Sequence, residues 1–380
     1  MVSKKDLFEI QRMSGYLRML DSINAEILVG LGEHDPRNLS LIAKSLNLPT
    51  STVAFRFKKL VKEHDLEIFA HLDWNKLGLA RAVVMVDALP GRWKALWKAL
   101  ENFDYLTYLT RCTGRIQGCL ATFAIPVEHR MELKDYLDEA VRLQVLSHYL
   151  FFWVTNMCEA RPNFDWFDFR KKQWIFKWKQ WVQEILSASE NLSARLTDPK
   201  SYFIMVDKKD LIMLRELELK GTVSFKELAK VVGVKPSSVA HRYWKHIVER
   251  ELIIGHIIGV FPYPYELSDM CTFVIEFEDE KALAKFTNCL DDKPFILNYS
   301  KVIGQPSIIA NTYTPKFEFL SLIESLHTLT ELHLIKNFFN VTLNITQCKD
   351  NSLPCELFKD GAWTYNQKKN LERLKRIIKP

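Results

Sequence analysis

Residues 21–66 of the chain lie on residues 207–252 without a gap, and no other feature restricts the fold as much. The identities include Asp21/Asp207, Leu28/Leu214, Ala43/Ala229, Ser51/Ser237, Val53/Val239, Arg56/Arg242, Lys59/Lys245 and Leu66/Leu252. Where identity is lost, apolar character is kept, as at Ile42/Leu228, Leu46/Val232 and Phe57/Tyr243. Whatever the first copy builds, the second is expected to build again.

In the first copy, Ile23, Ile27, Leu28 and Leu31 recur at the spacing of one helix face and predict a helix over 22–31. A turn at His34-Asp35-Pro36 leads into a short helix over 39–46. After Asn47-Leu48-Pro49 a third helix is predicted from Thr50 to about His64, with Val53, Phe57, Leu60 and Val61 inward. Its outward face carries Ser51, Thr52, Phe55, Arg56, Lys59 and Lys62. A short helix, a tight turn and a helix with cations outward form the helix-turn-helix pattern, and residues 66–72 supply a wing hairpin. The second copy predicts helices over 206–219, 225–231 and 237–250, the last showing Ser238, His241, Arg242 and Lys245.

The duplication continues downstream. Residues 82–158 read as strand, helix, two strands around Gly114, helix and strand, and residues 271–347 repeat that order with Gly304 in the place of Gly114. This β-α-β-β-α-β order is a ferredoxin-like unit, with helices on one face of a four-stranded sheet. Each half closes on an aromatic-basic tail, Trp166-Phe167-Asp168-Phe169 with RKKQWIFKWKQWVQEI and Trp363-Thr364-Tyr365-Asn366 with QKKNLERLKRII. The predicted class is α+β: winged helix-turn-helix units over 1–78 and 201–262, alternating with ferredoxin-like units over 79–162 and 263–348. Residues 163–200 and 349–380 form the tails.

Composition removes other classes. A net charge of +6 over 380 residues is mildly basic, and its meaning depends on where the cations cluster. No apolar run reaches the ~18 residues of a membrane span, and the N-terminus shows no secretory core, so a cytoplasmic protein is expected. The seven cysteines form no Cys-x-x-Cys pair, so free thiols are expected and no metal site. Neither a phosphate-binding glycine loop nor a catalytic constellation is evident, so no cofactor and no catalytic residue is expected. His148 falls in a predicted central strand, where a core or interface histidine is expected. Trp174, Trp178 and Trp181 make a helical stripe that is expected to pack into a core rather than stack on nucleic acid.

The sequence resembles the leucine-responsive, feast-famine (Lrp/AsnC) family of transcription regulators, which join a winged helix-turn-helix to a ferredoxin-like assembly domain. The likeness rests on Asp21, Ile27-Leu28, Ile42-Ala43, Val53-x-x-Arg56 and Leu72-Asp73-x-x-x-Leu77-Gly78, with Asp207, Leu228-Ala229 and Val239-x-x-Arg242 in the second copy. Where the family caps its recognition helix with Ser, this chain has Pro49 and Lys235, leaving Thr50 or Ser237 to cap. Asp65 and Glu251 replace a Gly before the wing. The effector loops read Gly114-Arg115-Ile116-Gln117 and Gly304-Gln305-Pro306-Ser307, and neither keeps the family's acid.

The resemblance implies a regulator of double-stranded DNA with two readers in one chain, an internal pseudo-dimer with its sheets packed together. Thr50, Ser51, Thr52, Phe55, Arg56, Lys59 and Lys62 would meet DNA in the first copy, and Ser237, Ser238, His241, Arg242 and Lys245 in the second. A small-molecule effector at Gly114, Arg115, Gln117, Gly304 and Gln305, and a homodimer through the ferredoxin-like units, are the other implied partners. Arg56 and Arg242 have a second reading, as braces paired with an acid. Two alternatives remain for the whole chain: an architectural or protein-interaction module, and an enzyme on the plan of the siroheme decarboxylases.

Overall fold

The computed structural model describes residues 20–64, 66–261 and 263–378, so Asp65 and the start of the first unit lie outside the described residues. The first copy contributes α1 (Ser22–Glu33), α2 (Leu39–Ser45), α3 (Thr50–Glu63) and β1 (Glu67–Leu72). There follow β2 (Leu79–Ala88), α4 (Trp93–Glu101), β3 (Leu106–Gly114), β4 (Gly118–Pro126), α5 (Arg130–Arg142), β5 (Leu146–Val154) and β6 (Cys158–Glu159). The first tail is a small hairpin, β7 (Phe167–Asp168) with β8 (Gln173–Trp174), and then α6 (Trp178–Ser187). The second copy supplies α7 (Lys208–Leu219), α8 (Phe225–Val232), α9 (Pro236–Arg242) and β9 (Ile253–Gly259). The rest is β10 (Ser268–Phe277), α10 (Glu280–Thr287), β11 (Ile296–Lys301), β12 (Ser307–Pro315), α11 (Phe319–Glu331), β13 (Ile335–Asp350), the hairpin β14 (Phe358–Lys359) with β15 (Ala362–Trp363), and α12 (Gln367–Ile378).

Local chemistry fixes the helix ends alike in both copies. The Asp21 carboxylate accepts from the Asn24 N–H at 2.8 Å to cap α1, and Asp207 caps α7 in the same way. The turn before each third helix passes through a left-handed residue, Asn47 at φ +53° and its duplicate Gly233 at φ +73°. Asn and Gly are the residues that occupy that region at least cost.

One expectation fails at the wing. Among the described residues neither copy forms its own hairpin. Instead β1 pairs with β9, antiparallel, so the two copies share one ribbon. Its register sets Ala70 opposite His256, its own duplicate, and Ile68 opposite Ile258. The ribbon is thus centred on an internal two-fold axis. Among the described residues this six-residue strand has no partner within its own half, and the other half's strand satisfies its backbone groups.

The sheets exchange partners too. The order β5-β2-β4-β3 continues into β13-β10-β12-β11 and ends on β6, which extends β5 past a break at 155–157. Val154 bridges to Val302 at that break, so the two four-stranded sheets close on each other and cover their edges. Met85, Leu120, Val274, Ile309 and Val341 fill the space between them. The expected packing of sheet on sheet is present.

The tails cross over as well. Trp181, Val182 and Ile185 of α6 pack with Leu283, Phe286 and Leu326 of the second half. Leu374 of α12 and Trp363 join the core of Leu96, Leu133 and Tyr136 in the first half. Trp181 and Trp178 lie on one helix against a sheet-backed core as expected, but Trp174 sits in the preceding hairpin. His148 departs from expectation: β5 ends the strand order, so its ring is exposed and pairs with Asp87 at 3.1 Å. Among the described residues no two cysteines are joined by a disulfide.

Candidate functional site

Both third helices present their outward faces to solvent. On α3, Thr50, Ser51 and Lys62 are exposed, Thr52 and Lys59 are partly exposed, and Phe55 stands out at 70% exposure. On the second reader Ser237, Ser238, His241 and Lys245 are exposed, with Trp244 beside them. Neither Thr50 nor Ser237 caps its helix; Pro49 and Lys235 occupy the cap positions without a side-chain bond. The two readers then diverge. While α3 runs on as α-helix to Glu63, the second reader widens into a π-helical stretch over Tyr243–Val248, which turns Tyr243 and Ile247 inward and Trp244 outward.

Arg56 and Arg242 each bond to acids of their own unit. Arg56 donates to Asp21 at 2.7 Å and to Asn24 at 3.0 Å, and Arg242 donates to Asp210 at 2.6 Å and pairs with Asp207 at 2.8 Å. Each arginine ties its reader to the first turn of the first helix of its own unit. The acids there already need a cation, because Asp210 is fully buried and Asp21 and Asp207 are helix caps. These contacts agree with the bracing reading of both arginines. Of the expected cations, Lys59 lies 3.8 Å from Glu63 and Lys245 donates to Glu249 at 2.5 Å, exposed pairs that phosphate can displace.

A hub that the sequence reading missed locks the two units together. Arg37 donates to the Tyr243 hydroxyl at 3.1 Å and to the carbonyl of Val223, its own duplicate, also at 3.1 Å. Tyr243 in turn donates to Asp35 at 2.5 Å, and the guanidinium lies 4.7 Å from the Tyr243 ring centroid. The signal was present where the copies differ. Asp35/Gly221, Arg37/Val223 and Phe57/Tyr243 each exchange a polar group for a small or apolar one, as befits residues that meet across an internal axis.

The effector loops are engaged by the chain itself. The Arg115 N–H donates to the Asn340 carbonyl at 3.4 Å, and the Gln117 N–H donates to the Asp87 carboxylate at 2.5 Å. Gly114 holds φ +118° close against the Asn340 carbonyl. In the second loop the Gly304 N–H donates to Asp198 at 2.9 Å, and Asp198 also pairs with the buried Lys301 at 2.7 Å. Gln305 donates its N–H to the Val302 carbonyl at 3.3 Å and its own carbonyl accepts from the Ser307 N–H at 2.9 Å.

Beneath the wing ribbon lies a cavity of about 680 Å³, walled by the ribbon, the first unit, the 155–162 segment and the 194–197 linker. His71, His256 and Glu159 line it, and each has a buried side-chain atom without a partner: Nε2 in both histidines, Oε1 in the glutamate. Burial drives the His71 imidazole down to about 3 and His256 to about 4, so both rings are neutral near pH 7. Burial likewise pushes the Glu159 carboxyl up to about 8, against the pull of Arg81. From about pH 4.5 to 8 the unfolded chain sheds this proton while the folded chain keeps it, so Glu159 erodes stability as pH rises across that window. Glu159→Gln is therefore expected to match the parent below pH 4.5 and to gain on the order of 5 kcal/mol by pH 8, levelling off above. Thermal unfolding at several pH values measures it, and a pH-independent difference would refute the assignment.

No protein-family model matches the chain. An uncharacterised HTH-type transcriptional regulator of Pyrococcus furiosus is 31% identical over 121 residues, spanning 31% of this chain and 80% of that protein. In fold the chain is similar to the siroheme decarboxylase NirDL, over 93% of this chain and 99% of that one, at a TM-score of 0.52 and 11% identity. A transcriptional regulatory protein of Pyrococcus furiosus from the AsnC family covers 35% of this chain and 88% of its own at 19% identity and a TM-score of 0.29. Among the described residues no helix is long and apolar enough to cross a membrane. With a relative 31% identical and matched over 80% of its length, the chain belongs to the family of HTH-type transcriptional regulators.

Proposed function

We propose that this chain is a DNA-binding regulator that carries both readers of a dimer in one polypeptide and recognises an asymmetric duplex site. The observation behind it is the pairing of two solvent-facing third helices, unlike in sequence, on one internal axis set by the β1–β9 ribbon and the Arg37 hub. Protein symmetry is mirrored in operator symmetry, so Phe55 and Lys62 on one reader and His241 and Trp244 on the other suit two different half-sites. Thr50, Ser51, Thr52, Phe55, Ser237, Ser238 and His241 are the candidates for base edges, with Lys59, Lys62 and Lys245 on phosphates. Effector control through the Gly114 and Gly304 loops has less support, since intramolecular bonds already engage both.

Selection from a random duplex pool, followed by anisotropy titration, tests the reading. The expected outcome is an asymmetric consensus, with affinity falling steeply from ~50 to ~200 mM salt as counterions are released. Absence of duplex affinity at ~100 mM salt, with the fold intact, would overturn it. For the enzyme alternative, the support is likeness of fold to a siroheme decarboxylase, and the absorbance spectrum after mixing with siroheme decides it.

A further inference from the structure

The two tails repeat one scaffold and differ at one place. In both, a short hairpin packs an aromatic pair on a helix-turn-helix unit. Phe167 of β7 faces Trp174 of β8 with ring centroids 5.1 Å apart, and Phe358 of β14 faces Trp363 of β15 at 5.0 Å. The first pair packs against the core of Ile27, Leu28, Val53 and Leu60, and the second joins that of Leu211, Leu214 and Val239.

Between those aromatics the hairpins part. The second closes through Asp360 and Gly361, left-handed at φ +51° and +80°, the two-residue turn that antiparallel strands favour. The first has a four-residue tip, Phe169-Arg170-Lys171-Lys172. It therefore sets three cations against one acid, Asp168, whereas the second has one cation, Lys359, against one acid. Closing the scaffold requires neither the extra length nor the charge, since the shorter turn does it in the other half.

The tip holds its cations outward. Asp168 serves the turn itself, its carboxylate accepting from the N–H groups of Arg170 and Lys171 at 2.9 and 3.0 Å. Lys172 takes the left-handed conformation, φ +51°, that returns the chain to β8. Arg170, Lys171 and Lys172 are all exposed, and among the described residues none of them forms an ion pair. Like charges crowded on one turn repel each other, and a polyanion laid against them relieves that repulsion.

The hairpin also stands where a wing is missing. Strand β1 follows α3 and leaves for β9 instead of folding back on its own unit. Phe167 and Trp174 pack against the core that Leu66 and Ile68 share with α3, and Trp174 borders a cavity with Phe69 and Ile258 of the ribbon. That places the hairpin beside the junction of α3 with the ribbon.

We propose that the β7–β8 hairpin serves the first reader as its wing, with Arg170, Lys171 and Lys172 on the phosphates that flank the first half-site. This rests on the duplex reading of α3 and adds an element which that reading leaves unused. Phosphate is the fitting counter-charge, because exposed cations on a turn neutralise backbone charge and carry no base code. The second reader lacks such an arm, so the contact belongs to one half-site only.

The test uses the full chain and the duplex recovered by selection, in an anisotropy salt series with hydroxyl-radical footprinting. One variant combines Arg170→Ala, Lys171→Ala and Lys172→Ala. A second replaces residues 169–172 by Asp-Gly, the turn of the duplicate hairpin. Both are expected to keep the parental melting temperature and to lose roughly tenfold or more in affinity at ~100 mM salt. The slope of log affinity against log salt should flatten by up to about 2.7. Protection should be lost at one flank of the α3 half-site and kept over the other half-site. Parental affinity and slope in both variants would overturn the proposal and leave the readers standing. Equal loss of protection over both half-sites, the mark of a general charge effect, would overturn it too. If the parent bound no duplex, the hairpin and the readers would fall together. If the slope responded to the hairpin variants but not to Lys59→Ala with Lys62→Ala, the hairpin contact would stand and α3 would fall.

Discussion

Trp181→Ala is expected to cost about 3–5 kcal/mol, the range for deleting a large aromatic from a packed core. Trp181 is 1% exposed, its ring lies 5.0 Å from Phe295 and 5.6 Å from Phe286, and its indole N–H bonds the Cys289 carbonyl at 3.1 Å. Those partners all belong to the second half, whereas Trp181 comes from the first. Because the tails, the ribbon and the sheet edges are all exchanged between halves, the loss propagates. A single unfolding transition is expected to shift as a whole, rather than one half melting early. Lys179→Ala, at an exposed position on the same helix, is the control and should lie within ~0.5 kcal/mol of the parent. Urea unfolding separates this from a nucleic-acid platform. If Trp181→Ala left stability unchanged and weakened only duplex affinity, the core assignment would fail.

The fold was legible because the chain states it twice. Helices α1 to α3 and their duplicates, the β-α-β-β-α-β order and the left-handed turns at Asn47 and Gly233 all follow from local periodicity and turn chemistry. Exchange between halves was not legible in the same way. The composition of β1 is the same whether it pairs within its own copy or with β9, since a strand's partner is set by tertiary geometry. His148 was misplaced for a related reason: periodicity identifies a strand but not its rank in the sheet. The site divides along the same line. Exposure of Ser51, Phe55, Lys62 and His241 could be read from helical phase. The inward turn of Arg56 and Arg242 could not, because it depends on acids thirty-odd residues upstream that lie alongside only after folding. Positions where the duplicates disagree proved the most informative. Arg37/Val223, Phe57/Tyr243 and His71/Ile257 mark the hub and the cavity, and a comparison of copies for their differences would have found both.

Removing the reader cations is expected to produce the largest loss of duplex binding. Lys59→Ala with Lys62→Ala strips phosphate contacts from α3, and His241→Ala with Lys245→Ala removes one base contact and one phosphate contact from the second reader. Each pair alone should lower affinity by roughly 10–100-fold at ~100 mM salt, since roughly 0.9 counterion is released per phosphate neutralised. The slope of log affinity against log salt should flatten by about 1.8 for the two lysines and by about 0.9 for Lys245. Combining the pairs should remove specific binding, because the fixed spacing makes each reader raise the effective concentration of the other. Phe55→Ala should behave differently. Its ring is exposed and uncharged, so its loss leaves the salt slope intact and alters base preference at one position, as expected of an apolar contact with a thymine methyl. Arg56→Ala gives a third pattern: lower stability with an unchanged slope, because its guanidinium holds Asp21 rather than phosphate. These three signatures distinguish contact, readout and bracing in one salt series. A combined cation variant that binds duplex with the parental slope would show that DNA meets some other face of the chain.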